Sequence, residues 1–216
     1  MAYNPNEYWI KRGKGYKAEF ETRRQGKYRT QVAELLDTFR GLEFSSVLEV
    51  GCGFGRMTAE VTRAFPSIAY YDAVDISPDQ LKEAKGLVPS GVRFMEGDFR
   101  TMEFDRKYDL VFATEVLMHI PPPEIGTFVA KMVSLSDRYV VSLDFWSERK
   151  VKLYPHNFQH DYDYIYRSAI GVKSVNRKKL KSELLGGLVK RDHSEAIFLA
   201  AVDGAKRPAI RTEPNP

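Results

Sequence analysis

The sequence predicts an α/β protein in which a mostly parallel sheet is covered by helices on both faces. Three observations carry that expectation. Short apolar runs of strand length alternate with helical segments from about residue 43 onward. The first of these runs ends in a loop with three alternating glycines, and a last apolar run, Ala196–Val202, follows a basic stretch. Strands that alternate with helices are joined by crossovers, and crossovers put helices on both faces of a parallel sheet.

The elements follow in order. Tyr3 to Tyr16 is a polar-aromatic arm whose apolar cluster is Tyr8, Trp9 and Ile10, too small to order itself without a partner surface. From about Glu19 to Leu42, Val32, Leu35, Leu36 and Phe39 fall at helical spacing, with Gly41 as a stop. Ser46–Val50 reads as a strand, Met57–Phe65 as a helix closed by Pro66, Ile68–Val74 as a strand, Pro78–Leu87 as a helix and Val92–Met95 as a strand. Tyr108–Ala113 and Tyr139–Leu143 are further strands on either side of a helix over Pro123–Leu135. Beyond Phe145 the texture changes. Residues 154–170 are rich in Tyr and His and partly strand-like, Arg177–Leu185 has the composition of a basic helix, and Ala196–Val202 is a strand. Two late strands around that helix would complete the sheet with an antiparallel edge. Residues 204–216 carry three prolines and few apolar residues, which predicts a flexible tail.

Composition bounds the class. With 216 residues, 43% hydrophobic, 12% aromatic and 29% charged, the chain has the make-up of an ordinary globular protein and not of a collagen-like or disordered one. Its length exceeds a prior of about 150 residues per domain by too little for two domains. One domain is expected, with an arm and helix over 1–42, a core over 43–145, a substrate-shaping segment with the last strands over 146–203, and the tail. Apolar runs stop far short of the roughly 18 residues that a membrane span needs, and no secretory signal follows Met1, so a cytoplasmic protein is expected. Cys52 is the one cysteine, and no Cys and His pattern has zinc-ligand spacing, so neither a disulfide nor a metal site is expected.

The net charge of +4 is unevenly distributed. Residues 1–40 hold nine Lys and Arg against five acids, residues 41–145 hold ten against sixteen, and residues 146–216 hold fourteen against eight. An acidic middle lies between basic ends. Those ends are either solvated surface or segments that face an anionic substrate or nucleic acid.

The stretch that carries chemistry is Val47-Leu-Glu-Val-Gly-Cys-Gly-Phe-Gly-Arg-Met-Thr58. A strand running into alternating glycines and then a helix lets backbone approach a ligand closely, with the helix N-terminal amides directed at polar or negative atoms. The dinucleotide fingerprint G-x-G-x-x-G/A uses the same device. Here Arg56 stands at its last position and Gly55 falls one residue early, which disfavours a dinucleotide cofactor. The loop also lacks the lysine of a phosphate-binding P-loop.

Glu49-Val-Gly51-Cys-Gly53-Phe-Gly55 resembles the E/D-x-G-x-G-x-G first motif of the class I S-adenosylmethionine-dependent methyltransferases, and three further matches follow in that family's order. Val74-Asp75-Ile76-Ser77 stands 24 residues after Gly51, Gly97-Asp98-Phe99 follows the third strand, and Tyr108-Asp109-Leu-Val-Phe-Ala-Thr114-Glu115-Val-Leu-Met-His119 is similar to the fourth strand and loop of the small-molecule members. The resemblance covers residues 47–121. It implies a Rossmann-like seven-stranded sheet and S-adenosylmethionine as cofactor, bound by Glu49, Gly51, Gly53, Gly55, Asp75, Ile76, Asp98, Phe99 and Thr114. In the family the acid after the second strand accepts from both ribose hydroxyls, and the Asp after the third commonly receives the adenine amino group. Ile76 and Phe99 would then flank the adenine. Taken singly, Asp75 and Asp98 also suit helix caps or turns, and Ile76 and Phe99 suit the core.

Methyl transfer is an in-line displacement, so few catalytic residues are needed. His119 follows the fourth strand at the sheet's carboxyl edge, where open α/β sheets bind ligands, and an ordinary imidazole suits proton removal. It serves either as the base or as packing under Pro121–Pro123. The polar-aromatic cluster from Tyr154 to Tyr166, with His156, His160 and Asp161, forms either an acceptor pocket in which the His160–Asp161 pair orients a base, or a Tyr-rich edge strand. Tyr8, Trp9, Lys11 and Arg12 either close over the donor or pack the arm. The D/N-P-P-Y/F signature of DNA and protein amide methylation is absent after the fourth strand, where Thr114-Glu115-Val116-Leu117 stands. A small, anionic acceptor methylated on O or N is therefore the expectation. An RNA or protein methyltransferase is the runner-up, and an NAD-binding oxidoreductase or a non-catalytic adenosyl-binding module are the readings of another class.

Overall fold

The computed structural model describes residues 3–23, 25–88, 90–151, 153–180 and 194–203. Three helices, α1 (Pro5–Gly13), α2 (Tyr16–Arg23) and α3 (Gln25–Arg40), precede β1 (Ser46–Val50), α4 (Arg56–Ala64), β2 (Tyr70–Asp75), α5 (Pro78–Leu87), β3 (Val92–Glu96) and β4 (Tyr108–Thr114). A 3-10 turn at Leu117–His119 follows, then α6 (Ile125–Ser134), β5 (Ser136–Trp146), α7 (Tyr162–Ser168), β6 (Val172–Lys179) and β7 (Ser194–Val202).

The seven strands form one sheet in the order β3-β2-β1-β4-β5-β7-β6. β1 to β5 pair in parallel. The antiparallel pairing lies toward one edge, where β7 runs antiparallel to both β5 and β6. The connections leave β1 and β4 toward opposite ends of the sheet, and this switch opens a crevice beyond their carboxyl ends. Side chains alternate across the strands. Val47, Leu110 and Phe112 join Leu35, Phe39, Met57 and Leu81 on the α3–α4–α5 face, whereas Leu48, Val50 and Val111 join Phe128, Met132, Tyr162 and Tyr166 on the α6–α7 face. Near-continuous burial of β1 and β4 is what a sheet covered on both sides requires.

The polar-aromatic arm folds as α1. Asn4 caps it by accepting from the amides of Asn6 and Glu7, and Pro5 stands at its first position. The helix expected from Glu19 to Leu42 is two helices, α2 and α3. Two expectations beyond Phe145 are corrected. The Tyr-rich segment is not an edge strand: Asp161 accepts from Tyr164 N and caps α7, which buries Tyr162 and Tyr166 one turn apart. Nor is Arg177 the start of a helix. Residues 172–179 form β6, because β7 offers a full antiparallel ladder, and that pairing outweighs the helical preference of a Lys- and Arg-rich stretch. Residues 181–185 of the expected helix and the predicted tail, 204–216, lie outside the described residues. Among the described residues no helix is long and apolar enough to cross a membrane.

Candidate active site

The crevice is a cleft of about 930 Å3, its open mouth included, at the carboxyl edge of β1, β2 and β4. Of the residues expected to bind the cofactor, Gly51, Gly53, Asp75, Ile76, Asp98, Phe99 and Thr114 line it, and so does His119. The glycine loop is shaped by close contact. Gly51 has φ +72, and a Cβ there would lie 2.4 Å from Val116 Cγ2. Gly51 N and Cys52 N both donate to Val74 O, which pins the loop to the end of β2.

Two expected residues do not reach the cleft. Gly55, at φ +81, has Ala84 Cβ and Val88 Cγ2 2.9 Å from where its own Cβ would stand. It is the close-packing point between α4 and α5. Glu49 is buried on the sheet, where one carboxylate oxygen accepts from Thr58 Oγ1 at 2.6 Å and Tyr71 OH at 2.7 Å. Burial pushes its carboxyl up to about 7, against the pull of those two hydroxyls. Its work is to tie α4 and β2 to β1.

Asp75 is nearly buried and holds both flanking backbones. One oxygen accepts from Gly53 N at 2.7 Å and the other from Ser77 N at 2.9 Å. Burial raises its carboxyl, opposed by these amides. Asp98 belongs to a network that sequence reasoning missed. It accepts from Asn6 Nδ2 on α1 at 3.0 Å and from Arg100 Nε at 2.9 Å, while Arg100 also donates to Glu124 and to Asn6 Oδ1. Burial alone would raise the Asp98 carboxyl, but the hydrogen bonds from Arg100 and Asn6 outweigh it and hold it at about 2. The arm is thereby tied to the rim of the cleft. Asn4-Pro5 signalled the helix, but nothing local to Asn6 announced its partner.

Arg56, noted in the sequence only as a departure from the dinucleotide pattern, is a second such residue. It donates to Glu115 at 3.0 Å and to Gln31 at 3.1 Å, with its guanidinium 5.2 Å from the Phe20 ring and 5.3 Å from that of Tyr28. Glu115 is the one non-glycine at positive φ among the described residues, at +56, a strained conformation that functional sites commonly hold. Leu143 O fixes it by accepting from its amide at 2.7 Å.

His119 Nδ1 lies 2.9 Å from His156 O. A carbonyl only accepts, so Nδ1 carries the proton and Nε2 is the basic nitrogen of the neutral ring. Trp9 packs edge-on against this ring at 4.7 Å. The expected His156–His160–Asp161 cluster separates. His156 stacks on Tyr8 at 4.6 Å beside the arm. Burial and nearby Arg12 lower its pKa. His160 is buried beneath, donating from Nε2 to Ile120 O at 3.0 Å, and Asp161 is occupied as the α7 cap, so the pair does not orient a base. Among the described residues no three His, Cys, Asp or Glu side chains gather as metal ligands.

Known proteins share parts of this sequence and its fold. Residues 47–137 match the family model described as "Methyltransferase domain". Over 97 residues the chain is 36% identical to trans-aconitate 2-methyltransferase of Enterobacter sp. (strain 638), covering 44% of this chain and 38% of that protein. Over 108 residues it is 33% identical to malonyl-[acyl-carrier protein] O-methyltransferase of Halalkalibacterium halodurans, covering 46% and 40%. The match spans about two fifths of each of these relatives. The fold aligns with that of magnesium protoporphyrin IX methyltransferase from Synechocystis PCC 6803 with bound S-adenosylmethionine, at a TM-score of 0.66 and 19% identity, over 94% of this chain and 99% of that one. Residues 47–137 are thus similar to a methyltransferase domain, and the chain shares the fold of that S-adenosylmethionine-bound enzyme. The cleft fits that cofactor: Gly51 leaves the space that a Cβ would fill, Asp75 keeps lone pairs for hydroxyl donors, and Thr114 Oγ1 is buried with no partner among the described residues.

Proposed function

We propose that the protein transfers a methyl group from S-adenosylmethionine to an oxygen or nitrogen of a small, anionic metabolite. The observation that carries this reading is the convergence of Gly51, Gly53, Asp75, Asp98, Thr114 and His119 on one cleft. When bound, S-adenosylmethionine supplies a sulfonium-activated methyl group for in-line displacement by an acceptor lone pair. Asp75 accepts from the ribose hydroxyls with the lone pairs that Gly53 N and Ser77 N leave over. Asp98 receives the adenine amino group, and Ile76 and Phe99 flank the ring. His119 Nε2 takes the proton that the acceptor loses. Residues 43–145 hold the donor in this reading, while residues 1–42 and 146–203 shape the acceptor side, where Trp9, Tyr8 and His156 gather around His119.

The basic ends of the chain, with the trans-aconitate and malonyl groups for which two relatives are named, support an anionic acceptor. The arginines of the cleft do not add to that support, since Arg56 and Arg100 are each paired with a carboxylate. The test is titration with S-adenosylhomocysteine and with NADH, followed by a panel of organic acids and amines with labelled donor. Binding of the nucleoside alone, and turnover on an acid that His119→Gln slows about 100-fold or more, is the expected result. Tight NADH binding without a response to the nucleoside would overturn the reading, and full turnover in His119→Gln would remove His119 as the base.

A further inference from the structure

The turn that carries His119 is held almost entirely by one later segment. Its own backbone makes two bonds, His119 N to Val116 O and Ile120 N to Leu117 O. Four more come from residues 144–160, and they reach three consecutive residues. Asp144 Oδ1 accepts from Met118 N at 3.1 Å. Phe158 N donates to Met118 O at 2.7 Å. His156 O accepts from His119 Nδ1 at 2.9 Å, and His160 Nε2 donates to Ile120 O at 3.0 Å.

Asp144 is the costly member of this set. It is fully buried near the end of β5, and its second oxygen has no hydrogen-bond partner among the described residues. Burial, with Glu115 and Glu195 nearby, raises its pKa well above the ordinary range. A carboxyl kept in such a place at such a cost calls for a purpose. Its first oxygen is directed at the amide next to His119.

We infer that Asp144 is a positioning residue: together with the His156 carbonyl, Phe158 and His160 it clamps the 117–120 turn so that His119 is held in the Nδ1–H tautomer with Nε2 as its basic nitrogen. This rests on the reading of His119 as the base, but its test does not. The acceptor strength of the side chain matters to the clamp, not its charge, so an amide oxygen should serve equally well.

The test is the nitrogen-15 NMR spectrum of the His119 ring, with S-adenosylhomocysteine bound, in the full chain. The parent should show the Nδ1–H tautomer, Asp144→Asn should keep it, and Asp144→Ala should lower the ratio of Nδ1–H to Nε2–H by about tenfold, roughly what one hydrogen bond of this kind contributes. His160→Phe, which removes a different member and keeps the ring volume, should lower it likewise and serves if Asp144→Ala does not fold. A parent-like tautomer in folded Asp144→Ala, or in His160→Phe where Asp144→Ala does not fold, overturns the inference. Full turnover in His119→Gln, with the tautomer responding as expected, would reject the base and leave the clamp standing. A parent-like tautomer in Asp144→Ala alongside an inactive His119→Gln would do the reverse.

Discussion

Replacing Glu49 by Gln tests whether the first acid of the glycine motif serves the cofactor or the sheet. The carboxyl titrates at about 7 in the folded protein against 4.5 for an ordinary glutamate. Between these values the folded chain holds a proton that the unfolded chain has released. Stability therefore falls as pH rises through that window, by up to about 1.4 kcal/mol per pH unit and about 3 kcal/mol in all. In a chain of this size that corresponds to roughly 6–12 °C of melting temperature. Glu49→Gln keeps an oxygen for Thr58 and Tyr71, cannot ionise, and leaves amide hydrogens to satisfy at a fixed cost of about 1–3 kcal/mol. The expected result is a melting temperature lowered at pH 5 but flat between pH 5 and 8, with affinity for S-adenosylhomocysteine changed less than about threefold, under 1 kcal/mol. Thermal melts across that range with calorimetric titration measure both. A pH slope equal to the parent's would refute the buried-acid argument, and a loss of nucleoside affinity of 100-fold would return Glu49 to the cofactor.

Three further outcomes are expected. Asp75→Ala removes a carboxylate that holds Gly53 N, Ser77 N and, in the proposed complex, the ribose; it should weaken S-adenosylhomocysteine about 10- to 100-fold, from hydrogen bonds worth about 1.5–3 kcal/mol each to a charged group, and unchanged affinity in calorimetry would remove the assignment. Gly55→Ala forces a Cβ against Ala84 and Val88 at positive φ and should cost about 1–3 kcal/mol of stability, measured by urea unfolding, while the residues that line the cleft keep their places. Asn6→Ala frees α1 from Asp98 and Arg100 and should raise amide exchange across residues 5–13 by about tenfold, the worth of roughly one hydrogen bond; exchange equal to the parent's would show that the aromatic packing of Tyr8 and Trp9 alone holds the helix.

The core of the sheet and most of the residues that line the cleft are legible because their signals are local. A parallel strand buried on both faces is a short apolar run, and a ligand-binding turn needs glycines at the strand's end, so β1 to β5 and the residues from Gly51 to Thr114 could be read in sequence order. Glu49 and Gly55 stand outside the cleft lining for a common reason. The motif records residue types, while the pleat turns Glu49 toward Tyr71 and the packing of α4 on α5 claims Gly55.

What the chain order alone determined is the alternation of strands and helices, the glycine turn, and the position of the acids and of His119 at strand ends. The tertiary structure decided the rest, because each remaining feature joins segments far apart in sequence. β6 is a strand because β7 pairs with it, Asn6 meets Asp98 across 92 residues, and His156 orients His119 across 37. Propensity and periodicity act over a few residues, whereas hydrogen bonds between distant segments form only once the chain is folded. The acidic middle and basic ends show the same division: the uneven charge is written in the sequence, but the pairing of Arg56 and Arg100 with acids inside the cleft became visible only in the fold.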